Sequence, residues 1–467
     1  MLAEYEQFIS SKTLRVPPSG FEPTALSADL FPFQAQVVRW AVRQGRAALF
    51  LDTGMGKTRC QLEWAHQVSV HTGKPVLILA PLAVAQQTVR EAARCHVAGT
   101  AYARDEGGAI GPIVVTNYER LDRFDASTFG GVVLDESSIL KAYSGSTKRA
   151  IFDAFARTPY KLACTATPAP NDHLELGNHA EFLDVMSSHQ MIARWFINDT
   201  STFGTYRLKG HAVEDFWDWV SSWAVMGSLP SDLGDFSDSG YVLPDLVTHE
   251  HVVDAEDGGG ADVERGTLFR TVELNATSVH GERRRTADAR AGQVAAIVAA
   301  EPHEPWLLWC ETDYEADAVR AAVADVLPGL VEVRGPDSPD KKELRLVGFA
   351  DGSIPALLTK PKIAGFGLNL QHCARVVFVG ATYSFESYYQ AIRRVWRFGQ
   401  QRPVHVHVVM ASTERPVWAI LERKRGDFET MKSSMFDAAR RNRRAYAKPG
   451  TYAASVCFEL PRWMRRD

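Results

Sequence analysis

Ten short apolar runs recur along the chain, each followed by a segment with helix-like spacing of its apolar positions. The first half holds AALFL (47–51), VLILA (76–80), PIVVT (112–116), GVVLD (131–135) and KLACTA (161–166). The second half holds WLLWC (306–310), LVEV (330–333), ALLT (356–359), RVVFVG (375–380) and VHVHVV (404–409). Strands that are apolar throughout and alternate with helices imply parallel sheets covered on both faces. Two such series predict an α/β chain with two sheet domains in tandem. A length of 467 residues agrees, because one hydrophobic core stops growing well below that size.

The middle, about 185–285, breaks the pattern. It holds WFIND, DFWDWVSSW, the turn-rich SLPSDLGDFSDSG and the glycines Gly258–Gly260. Phe216, Trp219 and Trp223 recur at helical spacing, which favours core or interdomain packing over a platform for stacking bases. The glycine triplet with its acidic flanks reads as an exposed turn or linker. The resulting division is a first lobe over 1–184 and a helical, aromatic-rich extension over 185–245. A linker over 246–284, a second lobe over 285–420 and a basic tail over 421–467 follow.

Composition changes this picture little. With 45% hydrophobic and 23% charged residues the chain is ordinary for a globular protein. The formal net charge of −4 hides an asymmetry: from Leu421 onward twelve Lys/Arg stand against six Asp/Glu, which leaves −10 on the remainder. A basic tail on an acidic body suggests a polyanionic partner, with a solvated helix face as the plain alternative. The six cysteines are scattered without a CxxC pair, so neither a zinc ribbon nor a disulfide framework is expected. The longest apolar run, VLILAPLAVA, is too short to span a bilayer. No secretory signal is read at MLAEYEQFIS. The expected location is the cytoplasm, a host's cytoplasm if the chain is phage-encoded.

The chemistry is concentrated in three places. FLDTGMGKTRC follows a predicted strand and opens a predicted helix, the context a phosphate-binding loop requires. Thr53, Gly54, Met55 and Gly56 form the loop, whose backbone N–H groups would close on phosphates. Lys57 would reach the terminal phosphates, and the Thr58 hydroxyl would ligate magnesium. The first glycine of the full motif is absent, since Leu51 stands there. VVLDESS ends a second strand in Asp135 and Glu136. Asp135 would hold the magnesium and Glu136 would orient and deprotonate an attacking water. Finally, QAIRRVWRFGQQRP places Arg393, Arg394, Arg397 and Arg402 among Val395, Trp396 and Phe398. So many guanidiniums in an apolar setting imply a half-buried meeting with an anion, because an isolated buried charge is too costly.

Taken together these motifs resemble the superfamily-two helicases and, within them, the Swi/Snf-type DNA translocases, from about Leu30 to about Met410. The resemblance implies two RecA-like parallel-sheet lobes with a helical insertion between them, ATP and magnesium held in the cleft, and nucleic acid as partner. LFPFQAQVVRW resembles the adenine-reading segment, with Gln34 on the base edge and Phe33 beside it. APLAVAQQTVREA and VVTNYERL resemble two segments that grip a nucleic-acid backbone, which implicates Pro81, Thr116 and Asn117. TATPAPND resembles the motif that couples hydrolysis to lobe movement and implicates Thr165 and Thr167. TKPKIAGFGLNLQ resembles the second-lobe segment touching nucleotide and strand, with Lys362 and Gly367. QAIRRVWRFGQ resembles the arginine-finger motif: Arg394 and Arg397 would face the γ-phosphate, with Val395, Trp396 and Phe398 anchoring the segment on the second lobe. The family usually has glycine where Arg393 and Ala364 stand. LDESSILKAYSGSTKR and TATPAPNDHLELGNHAEFL are similar to the compact versions encoded by bacteriophages and prophages.

The leading expectation is a DNA-stimulated ATPase that moves on DNA. An RNA helicase with the same engine is the alternative, opposed by Asp-Glu-Ser-Ser where the DEAD-box members carry Asp-Glu-Ala-Asp. An ATP-switched nucleic-acid-binding scaffold is a third reading, opposed by the presence of both Glu136 and Arg397. No nuclease, zinc or methyltransferase signature is present, so protein partners would have to supply such activities; no membrane partner is expected.

Overall fold

The computed structural model describes residues 14–108, 111–141, 145–198, 206–254, 276–364, 369–382 and 384–446. Its first-lobe strands are β1 (Arg46–Leu51), β2 (Val76–Ala80), β3 (Thr100–Tyr102), β4 (Ile113–Asn117), β5 (Gly131–Asp135) and β6 (Tyr160–Cys164). A small hairpin of β7 (Phe196–Asn198) and β8 (Tyr206–Leu208) precedes β9 (Ala224–Gly227). The second lobe holds β10 (Leu246–Val253), β11 (Trp306–Trp309), β12 (Leu330–Glu332), β13 (Ala356–Thr359), β14 (Arg375–Val379) and β15 (Val404–Ala411). Five helices matter below: α1 (Pro32–Gln44), α2 (Lys57–Thr72), α3 (Val213–Val220), α4 (Phe385–Ile392) and α5 (Arg415–Tyr446).

Both sheets are parallel throughout. The first runs β3-β4-β2-β5-β6-β1-β9 and the second β10-β15-β14-β11-β13-β12. Each is buried on both faces, with separate apolar clusters on its two sides. These are the two RecA-like lobes of an α/β chain. The ten predicted runs are all strands. The three that the sequence reading missed, β3, β9 and β10, each lie at a sheet edge. An edge strand is covered on fewer sides, so β3 is short and β10 carries the polar run Thr248–His251 between apolar ends instead of forming a solid apolar run.

The middle segment is not simply a helical insertion. After α3 the chain returns as β9 and pairs with β1, completing the first sheet. Phe216, Trp219 and Trp223 are fully buried in that lobe's core, and Trp195 stacks on Trp219 at 4.6 Å. Burial of each is worth about 1.5–3 kcal/mol, so these aromatics hold the first lobe together. β10, placed in the linker by the sequence, is a strand of the second sheet. The glycines 258–260 lie outside the described residues.

The expected boundary near 420 falls inside α5. This helix leaves the second lobe after β15 and crosses to the first, where Phe428, Met431, Met435 and Ala438 are buried in the first-lobe cluster. Arg440 and Arg441 pair with Asp232 at 3.7 Å and Asp218 at 2.8 Å. The described part of the basic tail is therefore a strap across both lobes, its apolar side docked on the first-lobe core and its charged side solvated. Among the described residues no helix is long and apolar enough to cross a membrane.

Candidate active site

In the first sheet β5, β6 and β1 are neighbours, with Asp135 level with Cys164 and Cys164 level with Leu49. Three segments far apart in sequence therefore leave adjacent strand ends on one edge, where ligands bind in such sheets. The loop after β1 carries Gly54 and Gly56 at φ +97° and +82°, a region closed to most side chains. Gly56 also faces Gln34 so closely that an added Cβ would lie 2.2 Å from its amide nitrogen. α2 begins at once with Lys57, so its unpaired N–H groups and the positive end of its dipole face the cleft.

A cavity of about 320 Å³ opens there. It is lined by Gln34, Thr53, Gly54, Gly56, Lys57, Thr58, Asp135 and Glu136 from the first lobe, and by Arg394 and Arg397 from the second. Lys57 donates to the Leu51 carbonyl at 2.9 Å, and no ion pair is recorded for it among the described residues. Met55 is 1% exposed and contributes its backbone carbonyl, which accepts from the Gln34 amide at 3.1 Å. Gln34 also accepts from Phe31 N–H at 3.0 Å, leaving one N–H and one lone pair for a base.

Glu136 sits at φ +54°, an unusual conformation for a residue with a side chain and one that turns the chain sharply after β5. Thr165 donates to its carboxylate at 3.4 Å and accepts from Thr167 N–H at 3.1 Å. Both threonines are fully buried; Thr165 touches the carboxylate directly, and Thr167 reaches it only through Thr165. Burial, and then the adjacent Glu136, raise the Asp135 pKa to about 7. A buried carboxylate that resists carrying its charge unpaired is suited to a hard cation. The donors present, Asp135 and the Thr58 hydroxyl, are oxygens as magnesium requires.

The four arginines of the late segment separate into two kinds. Arg402 pairs with Glu304 at 2.8 Å, and Arg393 pairs with Asp52 at 2.5 Å. Arg394 and Arg397 line the cavity with no ion pair among the described residues, and the Arg394 Nε, though buried, has no hydrogen-bond partner. Burial lowers both to a pKa of about 10, and Glu136 partly offsets this for Arg394. Both stay charged at neutral pH. Two guanidiniums drawn out of bulk water, with Glu136 near Arg394 as the protein carboxylate acting on them and no ion pair among the described residues, are arranged for a ligand anion.

Several expectations need correction. Phe398 anchors on the first lobe: its Cβ would lie 3.0 Å from a Cβ on Gly54, and its ring is 4.7 Å from that of Tyr241. Val395 and Trp396 do anchor on the second lobe, Val395 within its core and Trp396 packed against it while donating to the Pro244 carbonyl at 2.6 Å. Phe33 is buried against Phe236 and Tyr241, so Phe31 and Tyr241 line the cavity instead. Thr116 is fully buried and donates to Ala103 O at 2.8 Å, out of reach of a nucleic-acid backbone. Asn117 is 4% exposed and engaged by Glu119 at 2.7 Å and Tyr102 at 3.4 Å. Pro81 is half-buried and Lys362 exposed. Gly367 lies outside the described residues. Several cavity residues escaped the sequence reading, Asn369 and Gln390 among them. Both stand within segments already singled out, which was the available signal.

Fold and cleft define two parallel-sheet lobes that share one cavity lined by a phosphate-type loop, two carboxylates and two arginines. Residues 304–399, most of the second lobe up to the arginine segment, match the helicase conserved C-terminal domain. The chain is 24% identical over 447 residues to "Putative protein p41" of Acyrthosiphon pisum secondary endosymbiont phage 1, covering 81% of this chain and 92% of that one. Among solved structures it is similar to the Sulfolobus solfataricus SWI2/SNF2 ATPase core in complex with dsDNA. That likeness has a TM-score of 0.42 and 18% identity, over 89% of this chain and 96% of the other.

Proposed function

We propose that this protein is an ATP-dependent DNA translocase, whose two lobes close on ATP and convert its hydrolysis into movement along a DNA backbone. The single observation behind the ATPase half is the pair Arg394, buried, and Arg397, half-buried, both charged and without an ion pair among the described residues, across one cavity from Lys57, Asp135 and Glu136.

In this reading the loop N–H groups and Lys57 bind the β- and γ-phosphates, Lys57 exchanging the Leu51 carbonyl for phosphate oxygens. Gln34 meets the base with its remaining donor and acceptor. Glu136 orients the attacking water and accepts its proton. Arg394 and Arg397 stabilise charge on the transferring phosphoryl group, typically worth about 10³–10⁵ in rate. Thr58 and Asp135 would hold a magnesium ion, which supplies charge neutralisation at the phosphate oxygens. Loss of the γ-phosphate removes the anion that satisfies the two arginines, so the closed cleft loses its preference and the lobes part. The Thr165 contact to Glu136 places the 165–169 loop to register that change.

DNA rather than RNA is favoured by the RFGQ and TNYE segments and by Asp-Glu-Ser-Ser in place of Asp-Glu-Ala-Asp. Grip on a backbone would be largely blind to sequence and weakened by salt. The test is the ATPase rate with duplex DNA, single-stranded DNA and RNA, with Lys57→Ala as control. DNA stimulation that the control lacks is expected. Stimulation by RNA alone overturns the choice of polymer, and no hydrolysis with any polymer overturns the reading itself.

A further inference from the structure

Asp52 is the last residue before the phosphate loop and is 5% exposed. Its carboxylate accepts from five donors. Oδ1 takes Thr53 N–H at 2.8 Å and the Tyr389 hydroxyl at 2.7 Å. Oδ2 takes the Ser228 hydroxyl at 3.2 Å, Arg393 at 2.5 Å and Lys432 Nζ at 3.3 Å. These donors come from the loop itself, the end of β9, α4 with its first following residue, and the strap α5. Asp52 and Arg393 are 341 positions apart. Burial opposes the charge on Asp52, but Arg393 and then Lys432 outweigh it and keep the acid ionised.

Such a cluster is a poor device for stability, since apolar side chains of similar volume commonly do as well or better. What it supplies is register. Hydrogen bonds to a charged carboxylate are strong and directional, and this carboxylate admits one arrangement of three elements. Arg393 is also chained to the catalytic chemistry by sequence, because Arg394 is the next residue. Arg393 reaches behind the loop to Asp52, while Arg394 lines the cavity in front of it. The dipeptide therefore grips the root of the phosphate loop from two sides.

We propose that Arg393 is a positioning residue, and that Asp52, Arg393, Tyr389 and Lys432 form an interlobe joint holding Arg394 and Arg397 in register with the phosphate loop. The joint rests on the hydrolysis reading for its catalytic consequence, but not for its mechanical one. It needs no nucleotide, so it presets the closed cleft and links the loop to the C-terminal strap. Unlike a catalytic group it touches no reacting atom, so its loss misplaces the arginines without removing the phosphate cradle.

The test uses the full chain, with Arg393→Gln, Arg393→Lys and Tyr389→Phe. It measures kcat on DNA, affinity for a fluorescent ATP analogue, and nucleotide-free energy transfer between dyes at Val70→Cys and Leu344→Cys, both exposed sites on opposite lobes. Arg393→Gln is expected to lower kcat about 10- to 100-fold, as small misplacements do, with analogue affinity within about threefold and reduced energy transfer. Arg393→Lys restores most of the energy transfer, and Tyr389→Phe gives a smaller loss in the same direction. Unchanged kcat and energy transfer in Arg393→Gln overturn the joint. So does an equal fall in kcat and analogue affinity, which marks general damage to the loop. If Arg393→Gln does not fold, Tyr389→Phe is judged by the same criteria. If the wild-type protein hydrolyses no ATP, the hydrolysis reading fails, and the energy-transfer arm alone decides the joint.

Discussion

Replacing Asp135 by asparagine should stabilise the protein while removing its activity. The Asp135 pKa rises from 3.8 to about 7, through burial first and the adjacent Glu136 second. A folded-state pKa above the unfolded one means the folded form prefers the proton. That contribution is fully present below about 3.8 and is lost as pH rises through about 7. At 1.36 kcal/mol per tenfold change, keeping the charged form folded near pH 8 costs about 4 kcal/mol, an upper bound once local relaxation is allowed. Near pH 5.5 the same reasoning gives about half that. Asparagine has the shape but not the charge. In EDTA, urea unfolding should show Asp135→Asn more stable than wild type near pH 8, and the gain should shrink toward pH 5.5. Magnesium with an ATP analogue should stabilise the wild type far more than the variant, since binding to the native state alone raises its stability. Turnover in the variant should fall below detection. If Asp135→Asn unfolds at the same or lower urea near pH 8, the buried carboxylates carry no such strain and the cation site fails with it.

Other substitutions separate the remaining roles. Arg397→Ala should bind the ATP analogue nearly as wild type and lose about 10³-fold or more in kcat; normal turnover would remove it from the site. Trp219→Ala should cost about 3–5 kcal/mol by urea unfolding. A fall in DNA affinity with unchanged stability would instead revive the base-stacking platform. Arg441→Ala, which breaks the exposed pair with Asp218, should cost under about 1 kcal/mol and leave the salt slope of DNA binding, followed by anisotropy, within one of wild type. A larger flattening of that slope would make Arg441 a phosphate contact. Met431→Ala and Met435→Ala should each cost about 2–5 kcal/mol, because both side chains are buried in the first-lobe core. Little loss would mean that the strap is not docked there.

Much of the architecture was legible because buried parallel strands leave a local signature. VLILA, GVVLD and ALLT coincide with their strands residue for residue. β3 and β9 were not legible, because strands of three or four residues are too short to carry a pattern that sets them apart. The nucleic-acid contacts fared worst. Thr116 and Asn117 are both buried in the structure, because a strand alternates its side chains between faces, and a motif does not record which face a neighbour covers. The docking of the tail was illegible for a related reason: a basic composition reads the same whether its arginines meet DNA, water or, like Arg440 and Arg441, first-lobe aspartates.

By itself the sequence determined the phosphate loop, the paired carboxylates and the two-lobed order. A glycine loop before a helix and a carboxylate after an apolar strand are made by residues close in the chain, so short-range physics suffices for them. Only the tertiary structure decided how the four arginines are used. Arg393 meets Asp52, Arg402 meets Glu304, and Arg394 and Arg397 remain for the ligand. A charge takes its role from which opposite charge shares its dry pocket, and folding brings such pairs together across hundreds of residues.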